Sequence, residues 1–219
     1  MRKKKRISFV GISKKFTKIF KSIYPTANFN FYSWRSLEKI LLKKKFIYKN
    51  DFVVVCGYDY SSQWYEYQKY YKCNVIFPYK VVRMISKKNT KIFYIDTVNK
   101  ISKNRYLKKK YTFSRYEFAK KELRKVLLNN FKSVKVLTLP ILANNENKAE
   151  VFGSFFTKII YNFLIMLNYV KTTNLKNLKR RIIEKISSNK KDKIINLRPV
   201  LLNIPRSLFI DRILRFLND

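Results

Sequence analysis

The chain has 219 residues, of which 47% are hydrophobic and 16% aromatic, so it can bury the core of one domain of ordinary size. It carries 50 Lys and Arg against 13 Asp and Glu, a formal net charge of +37, and it contains no His. The lack of His excludes a Ser-His-Asp triad, a Cys-His dyad and a His-bound metal centre. Two cysteines, Cys56 and Cys73, are too few for a zinc site or a disulfide framework, so no metal is predicted.

The excess of basic residues points in general to a polyanionic partner such as nucleic acid, an acidic membrane surface or a phosphorylated substrate. Here the basic residues are spread along the whole chain, and Lys, Asn, Ile, Phe and Tyr are all abundant while Gly and Pro are scarce. That composition is typical of an AT-biased genome. No nucleic-acid-binding motif accompanies the charge, so nucleic acid is not predicted as the partner, whereas an anionic membrane surface stays open.

Short apolar runs alternate with amphipathic segments over the first two-thirds of the chain. The predicted elements are, in chain order, a strand over 7–11, a helix over 14–24 ended by Pro25, a strand over 28–32, a helix capped by Ser33, a strand over 51–57, a long helix over 65–86 with a kink at Pro78, a strand over 91–95, a helix over 115–130 and a strand over 135–139. This alternation predicts an α/β fold with a parallel sheet flanked by helices and joined by right-handed crossovers.

The pattern changes from Asn144 onward, where helices are predicted at about 152–170, 174–187 and 205–218. We therefore expect one domain over 1–145 and a small helical appendage over 146–219, packed at the carboxyl ends of the strands. The run 151–170 is long enough to span a bilayer, but Lys158 near its middle favours a buried or interfacial helix. The basic start, residues 1–6, is followed by no signal-cleavage site, so a cytoplasmic protein is expected, with peripheral membrane contact as an option.

One motif carries possible chemistry. Tyr116-Glu-Phe-Ala-Lys120 places a phenol and an ammonium on one face of a predicted helix, since residues four apart are neighbours there. An ammonium beside a phenol favours the phenolate and lowers the pKa of that Tyr, which suits proton exchange with a substrate hydroxyl or carbonyl. Because Tyr and Lys are so common in this chain, the motif has little weight without its position.

Its position gives it weight. Five pieces stand in the right order: Asp51-Phe-Val-Val-Val-Cys-Gly57, Tyr71-Lys-Cys-Asn-Val-Ile-Phe-Pro78, Lys91-Ile-Phe-Tyr-Ile-Asp-Thr97, Tyr116 to Lys120, and Lys135 to Pro140. Together they resemble the short-chain dehydrogenase/reductase superfamily, in particular its extended, nucleotide-sugar-modifying members. The nearest likeness is to the dTDP-4-dehydrorhamnose reductase branch and related epimerase/dehydratase domains. The resemblance covers about 140 residues from Ile7 and implies a Rossmann-like NAD(P)-binding domain.

The resemblance also implies roles for the catalytic residues. Tyr116 is expected to be the acid/base, Lys120 to lower its pKa and hold the nicotinamide ribose, and Thr97 to hydrogen-bond the reacting oxygen. Asn74 is expected to support the helix near Lys120, through water. A second register, Tyr111 with Arg115, also resembles the family motif; the first is preferred because it keeps the full Tyr and Lys pair, and Arg does not give up its charge.

For the cofactor, the resemblance implies contacts from Gly11, Ser13, Lys14, Gly57 and Lys120. The family's Gly-x-x-Gly-x-x-Gly keeps only its first glycine, Gly11, and has Lys14 and Thr17 at the other two positions. Lys14 and Lys15 can supply positive charge to the phosphates instead. Arg35 stands where the family has an acid for the adenosine ribose, which favours NADP over NAD.

The resulting hypothesis is a divergent NAD(P)-dependent sugar-nucleotide reductase or epimerase of surface-polysaccharide synthesis, with a nucleotide sugar as its substrate. The alternative is a non-catalytic Rossmann-like module that lacks the cofactor and binds a protein partner or an anionic membrane surface. The lost glycines are the reason to keep that alternative, since side chains at those positions crowd the phosphates.

Overall fold

The computed structural model describes residues 4–43, 50–97, 113–139, 141–142, 159, 162–163, 165–166 and 172–188. Its main sheet has five parallel strands in the order β2-β1-β3-β4-β5. These strands are β1 Arg6–Val10, β2 Asn28–Tyr32, β3 Asn50–Val55, β4 Ser86–Thr97 and β5 Val134–Leu139. The chain moves outward in one direction from β1 to β2 and then in the other from β3 to β5, so the order reverses between β1 and β3.

Five of the helices below lie between these strands in the chain, and the sixth follows them. They are α1 Lys14–Ile23, α2 Leu37–Lys43, α3 Tyr67–Tyr71, α4 Phe77–Ile85, α5 Phe113–Asn130 and α6 Leu175–Ser187. Two short 3-10 turns, Trp34–Ser36 and Tyr60–Trp64, precede α2 and α3. The predicted α/β fold with a parallel sheet and flanking helices is confirmed.

The sheet is buried on both faces, and the helices that cover each face follow from their apolar sides. One face packs against α1 and α6 through Phe16, Phe20 and Ile182. The other packs against α2, α4 and α5, with Leu37, Val81 and Leu127 among the side chains that are fully buried there. Strands that are covered on both faces read as continuous apolar runs, which is why β3 is Phe-Val-Val-Val over most of its length.

The long helix predicted over 65–86 is divided into three segments. Between α3 and α4 lies a π-helical segment, Lys72–Ile76, and Pro78 occupies the first turn of α4. Proline has no N–H to donate to the carbonyl four residues earlier, so the widened turn falls just before it. Where a kink at Pro78 was predicted, the helix therefore changes type, and the π-helical segment begins six residues before Pro78 and includes Asn74.

Strand β4 begins at Ser86, five residues before the predicted start at Lys91. The prediction missed this first part of the strand because its residues are polar. Ser86 pairs with Asn50 directly after α4 ends, and the Lys87 N–H donates to Thr90 Oγ1 at 2.8 Å. Thr90 Oγ1 in turn donates to the Asn50 carbonyl at 2.6 Å. These side chains satisfy backbone groups where the register shifts, and a polar run of this kind gives no strand signal in the sequence.

Helix α6 does not lie where the sequence analysis placed the appendage. Leu178 and Ile182 belong to the same core cluster as Phe9 and Leu137, and Arg181 donates to the Thr138 carbonyl at 3.2 Å. The helix therefore covers a face of the sheet beside α1 rather than the carboxyl ends of the strands. A short parallel pair that was not predicted, β6 Ile141–Leu142 and β7 Thr172–Thr173, precedes it.

The rest of the predicted appendage falls mostly outside the described residues, including the segment 205–218, and the domain boundary at 145 stays a prediction. Among the helices that the structure describes, none combines the length and the apolar character that crossing a membrane requires. Within the same residues, Cys, Asp and Glu side chains do not gather in the groups of three that a metal site needs.

Candidate functional site

The carboxyl ends of the parallel strands meet at one edge of the sheet. Gly11 follows β1, Cys56 and Gly57 follow β3, and Thr97 ends β4. Open α/β sheets hold ligands in the crevice at this edge, where the strand order reverses, which here lies between β1 and β3. Gly11, Gly57 and Thr97 therefore lie at the edge where a ligand is expected.

Gly11 and Gly57 are required by the packing of the protein itself. Gly11 has a φ of 97°, and a Cβ on it would stand 2.2 Å from the Cys56 carbonyl oxygen. A Cβ on Gly57 would stand 2.4 Å from Cε3 of the Trp34 ring. The loops after β1 and β3 therefore approach too closely for a side chain at position 11, and the Trp34 ring, which follows β2, fills the space beside position 57.

Helix α1 begins directly behind Gly11. Its N-cap, Ser13, makes no side-chain capping hydrogen bond, and the first turn contains no acidic residue. Unpaired N–H groups and the helix dipole make such an end favourable for an anion. Lys14 is exposed at this end, and Phe16 is turned into the core, so neither blocks the space in front of the helix.

The exposed side of α1 borders an open groove of about 480 Å³ against the edge strand β2. It is lined by Ile12, Lys14, Thr17, Lys18, Lys21 and Phe31. Lys14, which replaces the family's second glycine, thus lies on the groove side of α1 together with Lys18 and Lys21, whereas Lys15 is half-buried. Lys14 is exposed at this groove, so its ammonium is available to an anion there.

Trp34 and Arg35 form the 3-10 turn that follows β2. The Trp34 ring is buried against Gly57, and no described residue accepts a hydrogen bond from its indole N–H. Arg35 is exposed, and its guanidinium donates to Ser61 Oγ at 3.3 Å. The predicted cofactor contacts Gly11, Gly57 and Arg35 are thus joined through Trp34 and the loop after β3.

Tyr116 and Lys120 lie on one side of α5, as their spacing predicts. The Lys120 ammonium is 6.0 Å from the centre of the Tyr116 ring and donates to the Ile95 carbonyl at 3.2 Å. Ile95 lies two residues before Thr97 on β4, so the pair faces the carboxyl end of that strand. The Tyr94 hydroxyl holds this part of α5 by donating to the Lys120 carbonyl at 2.8 Å.

Lys120 is only 7% exposed, and burial lowers the pKa of its ammonium. The Asp96 carboxylate works against that shift, but it is itself bound by Arg124 at 2.9 Å. Burial raises the pKa of the Cys56 thiol to about 12. The positive charge of nearby Lys120 opposes this rise in the Cys56 pKa but is the smaller effect. The site therefore holds an amine whose charge is poorly compensated, beside a thiol that stays protonated.

The direct hydrogen bonds of Asn74 go to the loop after β3 and to its own helical segment, and the expected support of the helix near Lys120 through water stays a prediction. Asn74 Oδ1 accepts from the Asp59 N–H at 2.9 Å, and its Nδ2 donates to Ser62 Oγ and to the Tyr70 carbonyl. The amide is almost fully buried in these bonds. Asn74 thus fixes the loop that follows β3, which carries Tyr58 and Tyr60.

The remaining catalytic candidates are only partly described. The backbone of Thr97 pairs with Leu139 as the last residue of β4, at the expected edge, but its side chain lies outside the described residues. The same is true of all of Tyr111. Arg115, its partner in the alternative register, is buried, donates to the Tyr65 carbonyl at 2.7 Å and lies over the Tyr70 ring. Its guanidinium packs α5 against the start of α3.

Two residues that the sequence analysis did not select contact Tyr116 directly. Tyr58 meets its ring edge-on at 4.8 Å between centroids, and Tyr60 lies parallel to it at 6.0 Å with 13° between the planes. Both follow β3 at the carboxyl edge. That position was the available signal, because side chains directly after a central parallel strand reach the same edge as those after its neighbours.

Comparison with known proteins shows the fold. No protein-family model matches the sequence, and no curated protein does so. Solved structures do match. ADP-L-glycero-D-manno-heptose-6-epimerase from Helicobacter pylori is 11% identical with a TM-score of 0.56, over 86% of this chain and 75% of that one. A short-chain dehydrogenase/reductase superfamily protein from Agrobacterium tumefaciens with bound NAD is 9% identical, with a TM-score of 0.55 over 81% and 72%.

A third similar structure is dTDP-4-dehydrorhamnose reductase from Bacillus anthracis in complex with NADP. It is 11% identical with a TM-score of 0.50, over 83% of this chain and 70% of that one. Identities this low establish a shared architecture and not a shared activity. The resemblance inferred from the five sequence motifs is confirmed at the level of the fold.

Proposed function

We propose that this chain, which has the Rossmann-like fold of the extended short-chain dehydrogenases/reductases, is an NAD(P)-dependent oxidoreductase or epimerase acting on a nucleotide sugar. The observation that carries the proposal is Lys120. A buried ammonium whose hydrogen bond goes to a neutral carbonyl destabilises a fold, and here it stands one helical turn from a Tyr at the ligand-binding edge. Inside the protein the ammonium has only the Tyr94 ring at 5.3 Å and the Arg124-bound Asp96 carboxylate to offset its burial, and an anionic or hydroxylic ligand at that edge would offset it further.

The residues at the other end of the edge fit the cofactor's phosphates. Helix α1 offers an uncapped N-terminus without acidic side chains, Gly11 turns the backbone at a positive φ, and Lys14 adds an exposed positive charge. Ser13 stands at the N-cap with its hydroxyl not used for capping. Arg35 provides a cation after β2, which favours NADP over NAD. Gly11, Ser13, Lys14, Arg35, Gly57 and Lys120 are the residues we propose to hold the cofactor.

When bound, the nicotinamide supplies or accepts a hydride. The chain's own part is proton transfer and orientation. Tyr116 gives a proton to the sugar oxygen as a carbonyl is reduced, or takes it in the reverse direction. Lys120 favours the ionised form of that phenol through its positive charge, and the Thr97 hydroxyl is proposed to orient the reacting oxygen. Because nucleotide-activated sugars are the donors from which polysaccharides are assembled, we propose a role in surface-polysaccharide synthesis.

The first test is cofactor binding. NADPH at about a hundredfold above its Kd should raise the melting temperature by about 5 °C or more, since binding to the folded state alone stabilises it by mass action. Trp64 is 63% exposed and Trp34 is buried beside Gly57, so Trp64→Phe leaves one emitter at the crevice. Its fluorescence should be quenched by NADPH. A chain that shows neither effect at millimolar NADPH or NADH is not a dehydrogenase of this fold.

The second test is the acid/base. Tyr116→Phe should lower turnover of a nucleotide sugar by about 100-fold or more, the usual contribution of a positioned proton donor. Its melting temperature and its stabilisation by NADPH should stay near those of the parent. Tyr71→Phe is the matched control, because Tyr71 is half-buried and packs in the same apolar cluster as Tyr58, Tyr70 and Tyr116. Equal activity of the two variants would show that Tyr116 is not the proton donor.

A further inference from the structure

We propose that Tyr60 exchanges the proton of Tyr116 with water, so that the acid/base of the site works as a pair of phenols. The inference rests on the proposed function, because it takes Tyr116 as the group that protonates the sugar oxygen. Tyr60 acts through Tyr116 and is therefore a positioning and relay residue. The sequence motifs did not select it, and the resemblance to known proteins assigns it no role.

The geometry of the pair is specific. The two rings are parallel within 13° with their centroids 6.0 Å apart, which leaves the Tyr60 and Tyr116 hydroxyls within reach of each other. Tyr58 closes the third side, meeting Tyr60 edge-on at 5.2 Å between centroids and Tyr116 edge-on at 4.8 Å. Ring packing thus holds the hydroxyls of Tyr60 and Tyr116 near each other.

The loop that carries Tyr60 is fixed from below. Asp59 accepts at Oδ1 from the Ser61 N–H at 3.1 Å, and Ser62 Oγ donates to the Asp59 carbonyl at 2.5 Å. The side-chain amide of Asn74 binds both Asp59 and Ser62: its Oδ1 accepts from the Asp59 N–H and its Nδ2 donates to Ser62 Oγ. Hydrogen bonds therefore fix the 3-10 turn on each side of Tyr60, and the buried Asn74 is one of the residues that position the phenol pair.

Tyr60 can exchange a proton with water more readily than Lys120 can, because it is more exposed to solvent. Tyr60 is 47% exposed, whereas Lys120 is 7% exposed and donates to a backbone carbonyl inside the protein. Burial raises the pKa of Tyr60 despite the opposing effect of Tyr116, so the residue is a neutral phenol at neutral pH and has a proton to give. It touches both Tyr116 and water.

The proton balance closes without a further reactant. Tyr116 transfers its proton to the sugar oxygen as the hydride reaches carbon, and becomes a phenolate. The Tyr60 hydroxyl then donates its proton to the Tyr116 oxygen, and Tyr60 recovers one from water or from a buffer acid. In the oxidative direction, each transfer runs backwards and the proton leaves to water.

Tyr60→Phe tests the relay because it keeps the stacked ring and removes only the hydroxyl. We expect kcat to fall about 10-fold with little change in the KM for NADPH, and small buffer acids such as imidazolium to restore part of the lost rate. Tyr67→Phe is the matched control, since Tyr67 is 38% exposed and stacks on the neighbouring Tyr71. A Tyr60→Phe enzyme as active as Tyr67→Phe, or one that buffer acids do not rescue, overturns the relay.

A measurement on the resting protein separates this inference from the proposed function. In protein labelled with ¹³C at the tyrosine ring carbon that bears the oxygen, the Tyr116 signal is assigned from its loss in Tyr116→Phe. Tyr60→Phe should move the titration of that signal to higher pH, because a donor to the phenolate is removed, and Tyr67→Phe should not. Absence of the shift overturns the phenol pair. A shift in a protein that turns over no nucleotide sugar overturns the reductase or epimerase proposal and leaves the pair standing.

Discussion

The ligand-binding edge has two halves, one between β1 and β3 and one between β4 and α5, and they differ in whether the packing of the protein accounts for the residues found there. Between β1 and β3, Gly11 and Gly57 are explained by packing, since a Cβ on either would overlap Cys56 or Trp34. Between β4 and α5, Lys120 is buried with its hydrogen bond on a neutral carbonyl and its ammonium beside the Tyr94 ring, a placement that costs stability and that the fold does not require. The glycines are therefore weak evidence for a cofactor, although they match the family motif, whereas the buried lysine is strong evidence for a functional site.

The largest effect expected from this comparison is at Gly11. Gly11→Ala places a Cβ 2.2 Å from the Cys56 carbonyl oxygen at a φ that side chains rarely adopt. Strain and overlap together should lower the free energy of unfolding by on the order of 3 kcal/mol, with or without cofactor. Urea denaturation checks it. A stable Gly11→Ala protein that has lost only NADPH binding would show that Gly11 serves the phosphates and not the fold.

Gly57 should have a smaller effect that depends on one ring. Gly57→Ala overlaps Trp34 at Cε3 and Cζ3, atoms that a phenyl ring at position 34 does not supply, so the expected loss is about 2 kcal/mol. Trp34→Phe also removes an indole N–H that has no acceptor among the described residues, which offsets part of its lost packing. Combining the two substitutions should recover about 1 kcal/mol of the Gly57→Ala loss.

A double-mutant cycle measured by urea unfolding gives that coupling directly. If the losses in unfolding free energy for Gly57→Ala and Trp34→Phe are additive, something other than the Trp34 ring requires a glycine at position 57. The same four proteins can be titrated with NADPH. If Gly57 is explained by Trp34 alone, the combined variant binds NADPH as the parent does.

The fold was largely predictable from the sequence because it rests on periodicity. Strands such as β3 are continuous apolar runs, and α1 places Phe16, Ile19 and Phe20 on one side, so their type and order follow from burial. The first half of β4 was missed because Ser86 to Thr90 are polar and are held by side-chain bonds to Asn50. Helix α6 was predicted as a helix but misplaced, since its apolar side does not say which surface it covers.

The candidate site was predictable only where spacing along one helix decides it. Tyr116 and Lys120 lie four apart on α5, and the structure brings them to the same side. Asn74 and Tyr60 could not be connected from the sequence, because the bond network between them passes through a 3-10 turn with no repeating pattern. Arg115 looked like an alternative to Lys120, and only tertiary packing shows its guanidinium bound beneath α3.

The smallest effect concerns Lys120 and has an unusual sign. Lys120→Met removes a buried ammonium and keeps an apolar chain of similar length, so the free energy of unfolding at pH 7 should rise by about 1 kcal/mol. Burial lowers the pKa of this ammonium in the folded state, so the unfolded chain binds more protons between that lowered pKa and the unfolded value of about 10.5. The parent therefore gains stability as pH rises through this window.

The advantage of Lys120→Met over the parent should accordingly be full below the folded pKa and shrink as pH approaches 10.5. Urea unfolding between pH 7 and 10 measures it, with Lys121→Met as the control, because Lys121 is the exposed neighbour on the same helix. The same variant should lose most of the stabilisation by NADPH that the parent shows. A substitution that strengthens the fold and weakens the ligand response identifies a residue kept for function. If Lys120→Met instead lowers stability at pH 7 and binds NADPH normally, the buried lysine belongs to the fold, and the contrast between the two halves of the edge disappears.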